Sequence, residues 1–348
     1  MRKTLIFTFI LLIVVATNSW CQQEDYPPKD ITRVGTTAAS FLKIPVGARA
    51  TALGGAYTSI ANDATALYWN PGGIASINKI TFAVNSAELY AGISHNFIGM
   101  VFPVGRNVFG LSFIMLNSGD MDVTTVDEPE GTGETYSVNN MAVGLTFSRQ
   151  LTDRFYVGFT AKIINEKIWR NSATNVALDL GTVFNTGLLG TRIGMSISNF
   201  GKDMRIEGPD MLMSRRPDPN NPDNGYNPEI LLKGKDWAMP LICRMGLAVD
   251  LVGGISPFVQ SEKSRLTAII DADDGVDSAL RSSLGVEYEW NKMVALRGGY
   301  KLNYDAYRFS FGGGLKLFAG RMPFTVDYAF ADFGDLSYVH HFYISVAF

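Results

Sequence analysis

The segment Tyr338 to Phe348 closes the sequence with a strict two-residue alternation. Phe342, Ile344, Val346 and Phe348 fall on one face, and His341, Tyr343, Ser345 and Ala347 on the other. A strand with one continuous apolar face suits lipid outside and a polar or crowded lumen inside. This pattern predicts the last strand of a transmembrane β-barrel, with Phe342, Ile344, Val346 and Phe348 as the signal read by the barrel-insertion machinery. The final edge strand of a soluble sandwich is the competing reading.

The start of the sequence bears on the same choice. Arg2 and Lys3 precede an apolar run from Leu5 to Ala16, followed by small and polar residues. That is the pattern of a secretory signal peptide over 1–21, and the run is shorter than the roughly 20 apolar residues of a membrane-spanning helix. Cleavage after Cys21 leaves Gln22 as the mature N-terminus. Acylation of Cys21 is the weaker alternative, because Trp20 is large where a lipid-attachment signal wants a small residue. Cys243 is then the only cysteine of the exported chain, so no intramolecular disulfide can form. A closed barrel supplies stability another way, by pairing every strand edge around the ring.

Composition agrees with that reading. The 348 residues include 35 Gly, 22 Phe, 14 Tyr and 5 Trp, yet no run after the signal is long enough for a spanning helix. A formal net charge of -3 gives no basic field, so nucleic acid is not an expected partner.

Alternation recurs from about Lys79 onward. Met141, Val143, Leu145 and Phe147 oppose Ala142, Gly144, Thr146 and Ser148, and Phe155, Val157, Phe159, Ala161 and Ile163 oppose Tyr156, Gly158, Thr160 and Lys162. In the same way Phe309, Phe311, Leu315 and Leu317 oppose Arg308, Ser310, Gly312 and Lys316. Lys162, Arg308 and Lys316 fall on the polar face, as they must where a midplane charge facing lipid costs about 2–4 kcal/mol. Segments near 80–89, 92–104, 106–117, 136–149, 153–167, 174–185, 190–199, 240–251, 264–271, 279–290, 292–303, 306–318, 320–331 and 338–348 give about fourteen strands.

An even count returns both barrel ends to one side, the periplasm, with short turns there and longer loops outside. Gly253 to Lys263 is too long for such a turn and is read as holding a short helix. The longest loop, Phe200 to Met239, is dense in Pro, Asn, Asp and Gly from Arg215 on and is read as unable to form a strand. Arg215, Arg216, Tyr226 and Trp237 in it are the candidate partner-binding residues.

The block FLKIPVGARATALGGAYTSIANDATALYWNPGGIASI, Phe41 to Ile77, precedes the first strand. It lacks GxGxxG spacing and any Lys-Ser or Lys-Thr, so it is no nucleotide loop. Its small residues, Gly47, Ala48, Ala50, Ala52, Gly54, Gly55 and Ala56, point to backbone packed closely against surrounding walls. Ala61 to Leu67 is read as a short helix, and Asn70-Pro71-Gly72-Gly73 as a turn into the first strand.

GARA, LGGAY, NDA and YWNPGGIA in this block resemble the PorV/PorQ family of type IX secretion, within the FadL-like superfamily of fourteen-stranded outer-membrane barrels. The similarity continues through LTAIIDADDG, SSLGVEYEW and VALRGGYKLNYD. The resemblance implies an all-β chain: a transmembrane antiparallel β-barrel over 79–348 and an N-terminal hatch over 22–78 folded inside it. It implies a hatch motif of Gly47, Arg49, Gly54, Gly55, Asn62, Asp63, Trp69, Asn70 and Pro71, with Arg49 paired to lumen acids and Trp69-Asn70-Pro71 fixing the approach to strand one. Arg49 as an interfacial charge without special role is the alternative.

Two functions follow from the resemblance. The first is a non-enzymatic secretion component of the outer membrane of a diderm bacterium. It binds or shuttles secreted proteins carrying a C-terminal signal domain, with a large translocon barrel as a further partner. The second is a FadL-like passive transporter of hydrophobic small molecules. The inferred inward faces are rich in Gly, Ser, Thr and charge, which argues against a lipid-sized apolar pocket.

Chemistry is otherwise sparse. His95, His340 and His341 are the only histidines, and the last two point to opposite faces, so no catalytic triad or histidine metal site emerges. Asp271, Asp273, Asp274 and Asp277 resemble a calcium loop, but Val276 and Ser282 stand where Gly and Glu are required. A solvated external loop is the expectation there, and no cofactor is expected.

Overall fold

The computed structural model describes residues 34–214, 229–254, 256–304, 308–320 and 322–348. Fourteen strands close into one antiparallel barrel. In chain order they are β1 (Thr81–Glu88), β2 (Ser94–Val104), β3 (Asn107–Asn117), β4 (Val138–Thr152), β5 (Phe155–Ile168), β6 (Asn171–Asn185) and β7 (Thr191–Gly201). The second half comprises β8 (Ile242–Val252), β9 (Ser264–Gly275), β10 (Arg281–Trp290), β11 (Val294–Leu302), β12 (Phe309–Ala319), β13 (Met322–Asp332) and β14 (Tyr338–Ala347). Each strand pairs with its sequence neighbours, and β14 closes on β1 with Val346 opposite Phe82 and Ile344 opposite Val84.

The alternation of the sequence becomes the inside and outside of the ring. On β4, Ala142, Gly144, Thr146 and Ser148 are buried, whereas Met141, Leu145 and Phe147 are exposed. Phe342, Ile344 and Phe348 likewise face outward on β14 and beyond it, and Val346 is half-buried in the same row. Lys162 turns inward, where it is 8% exposed and meets Asp179 at 2.8 Å. The apolar exterior is the lipid-facing band of a membrane-spanning barrel, and no helix among the described residues is long and apolar enough to cross a membrane.

Most short connections, such as Gly105 to Arg106 and Asn291 to Met293, lie at one end, with Gly253 to Lys263 the long exception, and most long ones at the other, where Trp169 to Arg170 is short. These are the turn end and the loop end. Among the described residues of Gly253 to Lys263 there is no helix; the chain instead folds back so that Val252 bridges Val259, with Ser256 donating to the Leu251 carbonyl. β9 runs on to Gly275, through Asp271, Asp273 and Asp274 of the acids read as a solvated loop, because Asp271 is buried and engaged inside the barrel, while Asp277 lies in the connection beyond it.

The Phe200 to Met239 connection also forms strands. Leu212–Ser214 pairs with Glu229–Leu231, since neither triplet contains Pro or Gly. Its base returns to the mouth, where Met204 and Met239 are 3% exposed and the Ala38 amide donates to the Ala238 carbonyl. The signal segment 1–21, and Arg215, Arg216 and Tyr226, lie outside the described residues.

Inside the ring runs the segment from Phe41 to Ile74. Helix α1 (Ala48–Ala52) packs against β11 to β14, helix α2 (Ala66–Trp69) against β3, and the 3-10 turn Pro71–Ser76 against β4, β5 and β6. Ala48, Ala50, Ala52, Leu53, Ala56, Tyr57, Ala64, Ala66 and Ile74 are wholly buried. The helix read over Ala61 to Leu67 is displaced to Ala66–Trp69, because Asp63 accepts from the Thr65 amide at 2.8 Å and turns the chain first.

Candidate functional site: the occupied lumen

Close backbone contact seats the inner segment on two sides. A Cβ on Gly158 would lie 2.3 Å from the Pro71 carbonyl, and one on Gly181 would lie 2.1 Å from Asn70 Oδ1. Across the barrel Gly54 has φ +68 and its amide nitrogen would stand 2.1 Å from a Cβ on Gly299. Only glycine permits this approach of segment to wall.

Asn70 locks the first seat. Its side-chain amide donates to the Thr58 and Thr182 carbonyls at 2.9 Å each, and its carbonyl oxygen accepts from the Gly72 amide at 3.1 Å. Pro71 follows at the first position of the turn, where its missing N–H costs nothing. Trp69 donates Nε1 to the Val46 carbonyl at 2.7 Å and meets the Tyr68 and Tyr57 rings edge-on.

A charged seat holds the same segment toward the turn end. Arg49 clasps Glu287 through Nε and Nη2, both at 2.7 Å, and donates Nη1 to Asn62 at 2.6 Å. Asp63 stands 3.6 Å from Arg49 and accepts from the Tyr57 hydroxyl. Glu287 also takes Arg297 Nε at 2.7 Å, and Arg297 reaches Asp327. Gly47 precedes α1, and Gly54 and Gly55 follow it with positive φ, whereas Asn70 and Pro71 of the same motif lie at the glycine seat.

Glu287 and Asp327 in this seat are not singled out in the sequence, and Asp271 reads there as part of a solvated loop. Asp271 accepts from the Tyr57 and Thr58 amides at 2.9 and 2.7 Å. Sequence does not show which charges meet across a barrel.

The inner segment divides the lumen. On the loop-end side a cavity of about 370 Å³ is walled by Ile44, Pro45, Tyr68, Trp69, Leu89, Tyr90, Ile242, Tyr304 and Phe333. Arg244 lies over the Tyr68 and Trp69 rings at 5.6 and 5.1 Å, and Arg281 over Tyr304 at 4.6 Å. The apolar pocket that strand faces did not suggest exists because the inner segment and loop ends, rather than the strands, supply most of its rings. Lys43 reaches from the segment to Asp277 at 2.6 Å at its rim. Burial works to raise the Asp277 carboxyl, but hydrogen bonds from Lys43 and Thr37 outweigh it and leave the group below its usual range.

Trp237, outside this cavity, is 38% exposed, exchanges backbone hydrogen bonds with Met204 and carries Lys235 over its ring at 4.6 Å. His340 faces outward with Nδ1 2.8 Å from the Tyr328 hydroxyl. Among the described residues no three His, Cys, Asp or Glu are grouped to hold a metal ion.

Comparison with known proteins places the fold. Residues 14–158 match an uncharacterised protein family, UPF0164. No curated protein matches the chain. Among solved structures it is similar to the toluene transporter TodX of Pseudomonas putida, with TM-score 0.53 and 13% identity over 87% of this chain and 97% of that one. The toluene transporter TbuX of Ralstonia pickettii aligns with TM-score 0.54 and 13% identity over 87% and 97% of the two chains. A FadL homologue of Pseudomonas aeruginosa gives 0.53 and 13% over 88% and 98%. The chain therefore has the FadL-like barrel fold.

Proposed function

We propose that this chain is an outer-membrane barrel that admits a small hydrophobic molecule from outside into the loop-end cavity. The observation that carries the reading is that cavity: about 370 Å³, rich in aromatic walls and floored by the inner segment. Its size lies at the low end of ligand pockets, suited to a compact ring or short chain. The fold shared with toluene transporters supports the same direction. Arg244 and Arg281 rest on aromatic faces at its wall, and Asp271, Asp273 and Lys301 add polar groups to the lining.

The test is uptake of radiolabelled toluene and of a medium-chain alkane by cells making the barrel. Ile44→Trp, which fills the cavity from the inner segment, should lower uptake at least fivefold with the barrel still folded. Uptake equal to that of cells lacking the protein overturns the proposal.

A second reading, capture of exported proteins with C-terminal signal domains, has one observation in its favour. The loop-end hairpin exposes Leu212, Met213, Leu231 and Leu232 to solvent. Such a patch marks a contact surface on a soluble face. Affinity capture from native cells, followed by mass spectrometry, should then recover such proteins or a large translocon barrel. Met213→Glu with Leu231→Glu should abolish that recovery.

A further inference from the structure

The turn-end side of the lumen holds chemistry of a different kind. A chamber of about 370 Å³ lies between the inner segment and β5 to β9, lined by Ser59, Asn62, Tyr156, Asn185, Arg192 and Arg265, among others. Two guanidinium groups share one buried carboxylate. Arg192 gives Nη2 to Asp250 at 2.9 Å, and Arg265 reaches the same carboxylate at 3.2 Å. Asp250 is 1% exposed and also accepts from Thr267 at 2.9 Å, so its oxygens are fully engaged. Arg265 has Glu289 at 3.6 Å on its other side.

What is left over is a surplus of donors. Arg192 Nε has no hydrogen-bond partner, and neither does the hydroxyl of Ser59, a residue only 1% exposed. A buried donor without an acceptor costs about 1–3 kcal/mol. A guanidinium with an unpaired Nε–H and an unengaged hydroxyl, on two residues that line one chamber, match a planar oxyanion that accepts from both.

The position narrows the ligand further. Asn185 ends β6, Thr191 begins β7, and Gly187 and Gly190 lie in the turn between them, so the chamber lies at the turn end, opposite the aromatic cavity. Tyr156 and Val183 give one wall a ring and an apolar surface, enough for a small organic body behind the charged group.

We propose that this chamber is a binding site for a small organic carboxylate reached from the turn end. Arg192 holds the carboxylate, Arg265 provides further positive charge, and Ser59 donates to it from the inner segment. Because Ser59 and Asn62 belong to the inner segment and the arginines to the wall, the bound anion bridges the two and tightens the segment in place. The site stands apart from the loop-end cavity and does not depend on that cavity's ligand.

Calorimetry with benzoate on the full-length barrel in detergent, repeated with acetate and inorganic phosphate, tests it. Saturable binding of benzoate in the micromolar to low millimolar range is expected, weakened at least tenfold by Arg192→Gln and severalfold by Ser59→Ala. Ile44→Trp should leave it unchanged. Asn185→Trp, which narrows the chamber from the position directly across the strand pair from Arg192, should weaken it too and serves if Arg192→Gln does not fold. The Arg192 Nε–H resonance should shift on titration, which a purely structural arginine would not show. No saturable binding of benzoate by the folded barrel overturns the proposal. So does binding that Arg192→Gln and Asn185→Trp leave intact, or that Ile44→Trp abolishes, which would move the ligand to the loop-end cavity. Phosphate binding in place of benzoate also overturns the carboxylate assignment.

Discussion

The inner segment is held in two contrasting ways, by glycine contacts at Gly158, Gly181 and Gly299 and by the charged seat around Glu287. The glycine contacts are steric: they fix distance to within a fraction of an ångström but attract weakly. The charged seat is directional, with Glu287 engaged by two guanidinium groups while 2% exposed. Contact surfaces therefore decide where the segment lies, and ion pairs decide how costly it is to leave. Removing one member of the second kind should hurt more than crowding the first.

Glu287→Ala is expected to have the largest effect. It strands Arg49 and Arg297 as buried charges, for a cost of about 3–5 kcal/mol. Thermal unfolding of the purified barrel measures it. If Arg49→Leu in the same chain does not recover part of that loss, the ion pair is not what holds the segment.

Gly181→Val comes next, at about 1–3 kcal/mol, because its side chain meets Asn70 and Pro71 at the turn. The same unfolding assay, joined to protease sensitivity of the Thr58 to Ile77 stretch, reports it. A loss larger than that of Glu287→Ala would reverse the ranking of steric and charged seats.

Lys43→Met should cost no more than about 1 kcal/mol, since the lysine is 31% exposed and solvent screens its pair with Asp277. The pH dependence of that tether is the smallest effect. A carboxyl whose folded pKa is depressed contributes stability above its unfolded value, about 3.9, and loses it as pH falls through the lower folded value. The difference in unfolding temperature between the parent and Lys43→Met should hold steady from pH 7 to about 4.5 and shrink below pH 3.5. A difference that shrinks already near pH 6 would place the tether on another group.

Much of the barrel was legible because each strand carries its own evidence. Whether Met141 or Ala142 faces lipid is settled by alternation within one strand, without knowledge of its neighbours. Strand ends were less legible. Asp271 to Asp274 looked like a solvated loop because three aspartates in four residues break the apolar pattern, yet β9 continues through them to meet the inner segment. Pro and Asn near Arg215 masked the short pairing of Leu212–Ser214 with Glu229–Leu231.

The site was legible only on one side. Small residues around Arg49 announced a segment in close contact with something, and Trp69-Asn70-Pro71 announced a fixed turn. Their partners Glu287, Gly158 and Gly181 lie between 87 and 238 positions away, and no local pattern connects them.

The sequence by itself determined the strands, their inward and outward faces and the need for something small and tightly packed before β1, since these depend on periodicity and side-chain volume along a few consecutive residues. Only the tertiary structure decided that the lumen is divided into an aromatic cavity and a guanidinium-lined chamber. Each is assembled from single residues of several strands together with the inner segment, and ring closure sets which of them meet.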